Sequence, residues 1–414
     1  MISRLVDWVS NPKSSPNIDR RNFINVQIDG IGVAMGGAAA QFLPIFLTRL
    51  EATPFQIGLL TTMPAITGML LALVIGRFLQ RQRSVVPWFS AARLATLSCY
   101  ALTGIMTLIF PNEYVVTAIL VVWAFATLPQ TIVSIAFSVV MNAVAGPEGR
   151  YELMTHRWSI LGATTSITVL IIGQVLVRID FPLNYQIVFI ALSLGGLISY
   201  YFSSHIRIPE SEPPDETQVH NVREMIKGYT SRVVGEKPFM SFITKRFVFL
   251  TGAALAAPLF PLYFVRTIQA SDSWISAINT AQTAILIVGY FFWSSQSRRH
   301  GSRRVLVLTT LGLSMYPIIV ALLSQPWQIA IFAGMAGLFQ SGLDLVFFDE
   351  LMRTVPPEYS ATFIAFAQSV QYFSSVVSPS IGSGLAGWLG IPAALVVAGL
   401  VRLVGFAMFA LSKR

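Results

Sequence analysis

The chain runs to 414 residues, of which 54% are hydrophobic and only 11% charged. That is too little charge to cover a water-soluble surface of this size, so a soluble enzyme or binding module is excluded. The net charge of +9 does not point to nucleic acid, because the lysines and arginines sit in short loops between apolar blocks.

In chain order, residues 1–22 are mixed and polar, with no apolar core of a cleavable signal. In a helix Ile2, Leu5, Trp8 and Val9 would share one face, which predicts a short interfacial helix in this cytoplasmic N-terminal segment. Apolar blocks then follow at roughly 23–47, 55–76, 88–110, 114–143, 158–178 and 185–205. A charged stretch, 206–246, interrupts them. Six more blocks follow at roughly 247–268, 274–295, 305–323, 327–351, 361–388 and 391–411. Each is about the length that spans a bilayer core as a helix, and a helix satisfies its own backbone hydrogen bonds in lipid. The expected fold is an all-α polytopic membrane protein with two six-helix bundles, 23–205 and 247–414. The linker opens on Pro209, Pro213 and Pro214, then repeats apolar residues at Val219, Val222, Ile226, Tyr229 and Val233, the spacing of an amphipathic surface helix.

Loop charge alternates along the chain. Arg77, Arg81 and Arg83, then Arg150 and Arg157, the central segment, Arg298, Arg299, Arg303 and Arg304, and Arg353 fall on one side with both chain ends. The opposite loops hold only Arg49, Arg178 and Arg266. The positive-inside rule then puts both termini in the cytoplasm of a multi-pass cell membrane protein. The single cysteine, Cys99, allows no internal disulfide. No spacing suits a metal site or cofactor, and the four histidines lie in loops or at span ends without clustering.

The halves echo each other. Gln130 and Pro147-Glu148 are matched by Gln340 and Pro357-Glu358. Two basic loops also correspond: Gly76, Gln80 and Arg81 in the first, Arg299, Gly301 and Arg303 in the second. Internal repeats of this kind build many transporters. On these features the chain resembles the major facilitator superfamily, whose motif between spans 2 and 3 reads roughly Gly-x-x-x-Asp-Arg-x-Gly-Arg-Arg. Gly76 and Arg81 are kept, while Gln80 stands in the acidic position and Arg83 in that of the second glycine. The opening stretch, with Arg20-Arg21-Asn22-Phe23 and Phe55-Gln56-Ile57-Gly58, is similar to bacterial members, which implies an inner membrane. The resemblance implies twelve spans in two pseudo-two-fold-related bundles and transport by alternating access. It also implies that an acid closes the cytoplasmic face. With Gln80 in its place an ionic latch of that form is not expected, though Gln80 retains the capacity to bond a helix end.

Ionisable residues inside spans are costly and mark function or pairing. Asp29, Arg93, Asp344 and Arg402 meet that description. By depth along their helices, Asp344 is expected to pair with Arg402, and Asp29 more weakly with Arg93. Asn22, Asn25, Asp29, Gly32 and Gly36 share one helix face, suited to a water-filled cavity or to close helix packing. Spans 1, 4, 7 and 10 line the cavity in the superfamily. The resemblance therefore implies Asn25, Asp29, Gln130, Ser134, Gln340 and Asp344 as candidates for binding substrate or proton. Asn279, Gln371 and Tyr372 add hydrogen-bonding groups on spans 8 and 11, and Trp123 and Tyr263 are candidate aromatic walls. Pro258 and Pro261 predict a kink in span 7. Asp349 and Arg353 have the spacing of a helical ion pair.

A membrane carboxylate can carry protons, because desolvation and neighbouring charge move its affinity in opposite directions. Asp29 is the first candidate and Asp344 the second. The leading expectation is a proton-coupled secondary transporter of a small solute, acting as a monomer in contact with lipid, with no nucleic-acid partner. The embedded charges suggest a neutral, amphipathic or cationic solute. A facilitative uniporter and a drug or lysolipid exporter are alternatives. A transporter-like sensor and a membrane enzyme are readings from other classes; the lone cysteine and scattered histidines speak against the enzyme.

Overall fold

In the computed structural model, residues 18–52, 54–210, 231–270 and 272–412 are described. The N-terminal interfacial helix and nearly all of the amphipathic linker helix lie outside them. Every long element is helical: α1 (Arg20–Arg49), α2 (Pro54–Gln80), α3 (Val86–Ile109), α4 (Asn112–Arg178), α5 (Leu183–Ser204), α6 (Lys237–Ala256), α7 (Leu259–Leu262), α8 (Asp272–His300), α9 (Ser302–Leu322), α10 (Pro326–Thr354), α11 (Ser360–Leu389) and α12 (Ile391–Ala410). Among the described residues, nine helices are long and apolar enough to cross a membrane. One of these, α4, has 67 residues and holds spans 4 and 5 together. Between them Gly146 takes φ 60 and ψ 176, a conformation that suits glycine. Pro147 then starts the next helix without a loop. Span 7 breaks at Pro258, as its prolines predict: α6 stops at Ala256, α7 makes one turn, and a π-helical turn follows at Tyr263–Thr267.

The chain divides into two compact units. The first comprises residues 1–220 together with 356–369, and the second comprises 221–355 with 370–414. In the first, α1 packs on α4 and α5, and α3 packs on the same two helices. At the end away from the basic loops its core is aromatic, with Phe46 stacked on Tyr185 at 4.9 Å and Tyr100 against Trp123 at 4.9 Å. In the second unit α8 packs on α10, and α12 packs on α6 and α9. Large apolar side chains such as Leu70, Phe125, Leu170 and Trp388 face outward, the arrangement that lipid favours and water does not.

Close helix approach rests on glycine at matching places. A Cβ on Gly32 of α1 would collide with the Gly195 carbonyl of α5, and Ser199 is the next neighbour. On α6, a Cβ on Gly252 would come within 2.8 Å of the Ala398 carbonyl and the Arg402 nitrogen of α12. The first and last spans of each unit thus meet in the same way, with Ser199 and Arg402 in corresponding positions.

Candidate functional site

In the first unit the charge centre is built on Asp29. Its carboxylate pairs with Arg157 at 2.7 Å, and the two side chains are 0% and 2% exposed. Ser199 donates its hydroxyl to Asp29 Oδ1 at 2.5 Å. Arg157 also donates from Nη1 to the Val26 carbonyl at 2.6 Å and lies 5.2 Å from the Phe137 ring centre. The expected pairing with Arg93 does not form. Arg93 stacks 4.7 Å over Phe89, with Nε and Nη2 buried and unbonded among the described residues. The reason lies in α4. Loop charge assigns Arg157 to a connection, but the helix restarts at Pro147, which carries Arg157 three turns into the bundle.

The polar stripe on α1 faces α5. Asn22 donates to the Arg207 carbonyl at 2.6 Å and accepts from the Arg207 amide at 2.8 Å. Asn25 donates to the His205 carbonyl at 3.1 Å. These amides tie down the end of α5. Gln27, off that stripe, is 0% exposed and neither of its amide atoms is bonded among the described residues. On α4, Ser134 bonds back to the Thr131 carbonyl at 2.9 Å, and Gln130 is half-buried. Trp123 donates to Thr103 at 3.0 Å and Tyr263 to the Leu323 carbonyl at 2.9 Å. Both rings are therefore buried anchors and not cavity walls. His156 likewise lies inside α4, buried and edge-on to Phe23 at 5.3 Å, and not in a loop.

In the second unit Asp344 is held by neutral donors. Tyr290 donates its hydroxyl to Oδ2 at 3.0 Å, and Gln340, one turn earlier, donates to Oδ1 at 2.7 Å. The expected Asp344–Arg402 ion pair is absent. Arg402 instead stacks 4.7 Å over Phe249, with Nε buried and unbonded among the described residues. The two residues match in depth but not in direction: α10 packs on α8 and α9, whereas α12 packs on α6 and α9. Arg246 is a further embedded cation, donating to Gln371 Oε1 at 2.7 Å. Tyr372 is half-buried and Asn279 exposed. The Asp349–Arg353 pair forms as its spacing predicts, at 2.9 Å.

The loop motif closes a contact inside the first unit. Gln80 donates from Nε2 to the Glu358 carbonyl, and the Ala361 amide donates back to Gln80 Oε1 at 3.1 Å. Gln80 therefore caps the first turn of α11, the helix end that sequence reasoning left open to it. Gly76, one turn earlier, lies so near Ala365 that a Cβ there would collide with that side chain. In the second copy Arg81's counterpart, Arg299, is exposed, as is Arg81 itself. Gly301 takes φ 83, and Arg303 bonds the Ser412 carbonyl at 2.9 Å.

Helices that turn apolar residues outward, and carry buried charges within, define a polytopic membrane protein. Residues 242–414 match the family model described as Major Facilitator Superfamily. No curated protein matches the sequence. Among solved structures, the chain resembles a bacterial homologue of the iron transporter ferroportin in its outward-facing state. The TM-score is 0.73 at 14% identity, covering 93% of this chain and 98% of that one. The E. coli fucose:proton symporter FucP gives 0.69 at 13%, covering 94% and 98%. The proton:xylose symporter XylE bound to 6-bromo-6-deoxy-D-glucose gives 0.69 at 9%, covering 95% of each chain. The second half of the chain thus matches the superfamily in sequence, and the chain as a whole shares the fold of these solved transporters.

Proposed function

We propose that this protein is a proton-coupled secondary transporter working by alternating access, with Asp344 as the proton carrier. The supporting observation is the difference between its two embedded carboxylates. Protonating Asp29 would strand Arg157, which is buried and paired with it, at a cost of several kcal/mol. Among the described residues the half-buried Asp344 bonds only to Tyr290 and Gln340, so a proton there removes an embedded charge without orphaning another. This reading reverses the order of candidates drawn from sequence alone. Asn25, Gln130, Ser134, Asn279, Gln371 and Tyr372 stay in the proposal as solute-facing candidates, with Asn25 and Gln371 sharing their bonds with a backbone carbonyl and Arg246.

The cargo we infer is a neutral or anionic small solute. Arg93, Arg157, Arg246 and Arg402 embed more positive charge than the sequence count recognised, and Arg93 and Arg402 keep buried nitrogens unbonded among the described residues. A cationic cargo, a metal ion included, would meet that charge unfavourably. The basic loops face the cytoplasm in this reading.

The test uses purified protein in liposomes holding a pH-sensitive dye, screened against neutral sugars, organic anions and organic cations. A neutral or anionic solute should move protons with the native protein. With Asp344→Asn, solute exchange should continue while gradient-driven accumulation stops. Unchanged accumulation by Asp344→Asn, or proton movement with cations alone, would sink the proposal.

A further inference from the structure

We propose that the basic end of the second unit holds a binding site for a phosphate-bearing anion, the chemistry of an acidic phospholipid headgroup. Four helix ends meet there around a cavity of about 310 Å³: the first turns of α6 and α9 and the last turns of α10 and α12. Lys245 and Arg303 line it from two different helices. They converge on one residue, Ser412. Lys245 donates to its hydroxyl at 2.7 Å, and Arg303 donates from Nη2 to its carbonyl at 2.9 Å. The other guanidinium N–H groups of Arg303 bond to no described residue.

The one carboxylate in the lining, Glu350, accepts the Ser302 hydroxyl at 2.8 Å and pairs with neither cation among the described residues. The cavity mouth thus carries two cations against one acid. Its floor is apolar, with the Phe242 and Phe409 ring centres 6.0 Å apart. A phosphate accepts charge-assisted bonds from an ammonium and a guanidinium together, and the phenyl floor suits the glycerol and upper acyl carbons of a lipid. Basic pockets between helix ends at the cytoplasmic surface are places where acidic headgroups bind. The site depends on the orientation proposed above and not on which solute is carried.

The test compares full-length protein in detergent with phosphatidylglycerol, with phosphatidylcholine and with inorganic phosphate. Phosphatidylglycerol should raise the Tm of the native protein by about 3 °C or more, through linkage to the folded state. The charge-keeping pair Lys245→Arg with Arg303→Lys should respond alike. The neutral pair Lys245→Gln with Arg303→Gln should not. Should the neutral pair prove less stable by itself, native mass spectrometry supplies the second reading: it should retain one phosphatidylglycerol fewer than the native protein. A matching shift with inorganic phosphate alone would assign the site to a free anion and uphold its chemistry. The proposal is overturned if the neutral pair shifts and retains lipid as the native protein does. It is equally overturned if phosphatidylcholine serves as well as phosphatidylglycerol in native and neutral forms alike, or if no probe shifts the native protein.

Discussion

The embedded charges show how burial decides a residue's part. Asp29 and Arg157 form a pair shielded from water on every side, so removing one partner leaves the other uncompensated. Asp29→Ala is therefore expected to lower stability by about 3–5 kcal/mol, whereas Asp29→Leu combined with Arg157→Met should recover most of it. Thermal unfolding of the three proteins in detergent measures this, and equal stability of single and double variants would refute it. Asp344→Asn keeps the shape and replaces one of two neutral-donor bonds, so a loss of about 1 kcal/mol is expected. Asp29, Arg93, Asp344 and Arg402 were legible in the sequence as embedded charges, but Arg157, Arg246 and the partners across helices were not. Depth along a helix follows from residue count; direction around it depends on which helices touch. Asp344 and Arg402 share a depth and never meet for that reason. Asp349 and Arg353 were predicted correctly because one helix supplies both depth and direction.

At the scale of elements, boundaries carried the errors. The twelve spans follow from apolar length, but a loop after Gly146 does not exist, and that misplaced Arg157. Nothing in hydropathy separates a loop from a helix that breaks and restarts at Gly146-Pro147. The motif after α2 was more informative. Its glycine and its amide both have structural reasons: Gly76 admits α11, and Gln80 caps it. Gln80→Ala should cost about 1 kcal/mol, as loss of a cap does. Gly76→Leu should cost more, about 1–3 kcal/mol, because it forces α2 and α11 apart. Gln80→Glu should fall between native and alanine, since a carboxylate accepts the Ala361 amide but cannot donate to the Glu358 carbonyl. Hydrogen exchange of the first α11 turn reads all three, and an unchanged rate in Gln80→Ala would count against the cap.

For the whole molecule, the repeat extends further than sequence showed. Gly32 with Ser199 and Gly252 with Arg402 repeat one contact. The first unit fills it with a hydroxyl bonded to Asp29, and the second with a guanidinium stacked on Phe249. The charges are thus arranged differently on a shared frame. If loop charge sets orientation, fluorescent-protein fusions at both ends of the chain should mature in the cytoplasm, and a phosphatase inserted near Asp180 should be active outside. The reverse pattern would invert the proposed topology.

One helix, α11, has the length of a span but falls outside the set apolar enough to cross a membrane by composition. This has a consequence for how the chain is made. A nascent segment enters lipid on its own apolarity, and α11 gives many of its positions to serine, glutamine and glycine. What α11 fits is α6, packed so closely that a Cβ on Gly382 would strike the Leu255 carbonyl. Synthesis delivers α6 well before α11, so the partner is already in place when α11 reaches the insertion machinery. Placed alone in a host protein that carries glycosylation acceptor sites, α11 should insert incompletely, and the same helix in the full chain completely.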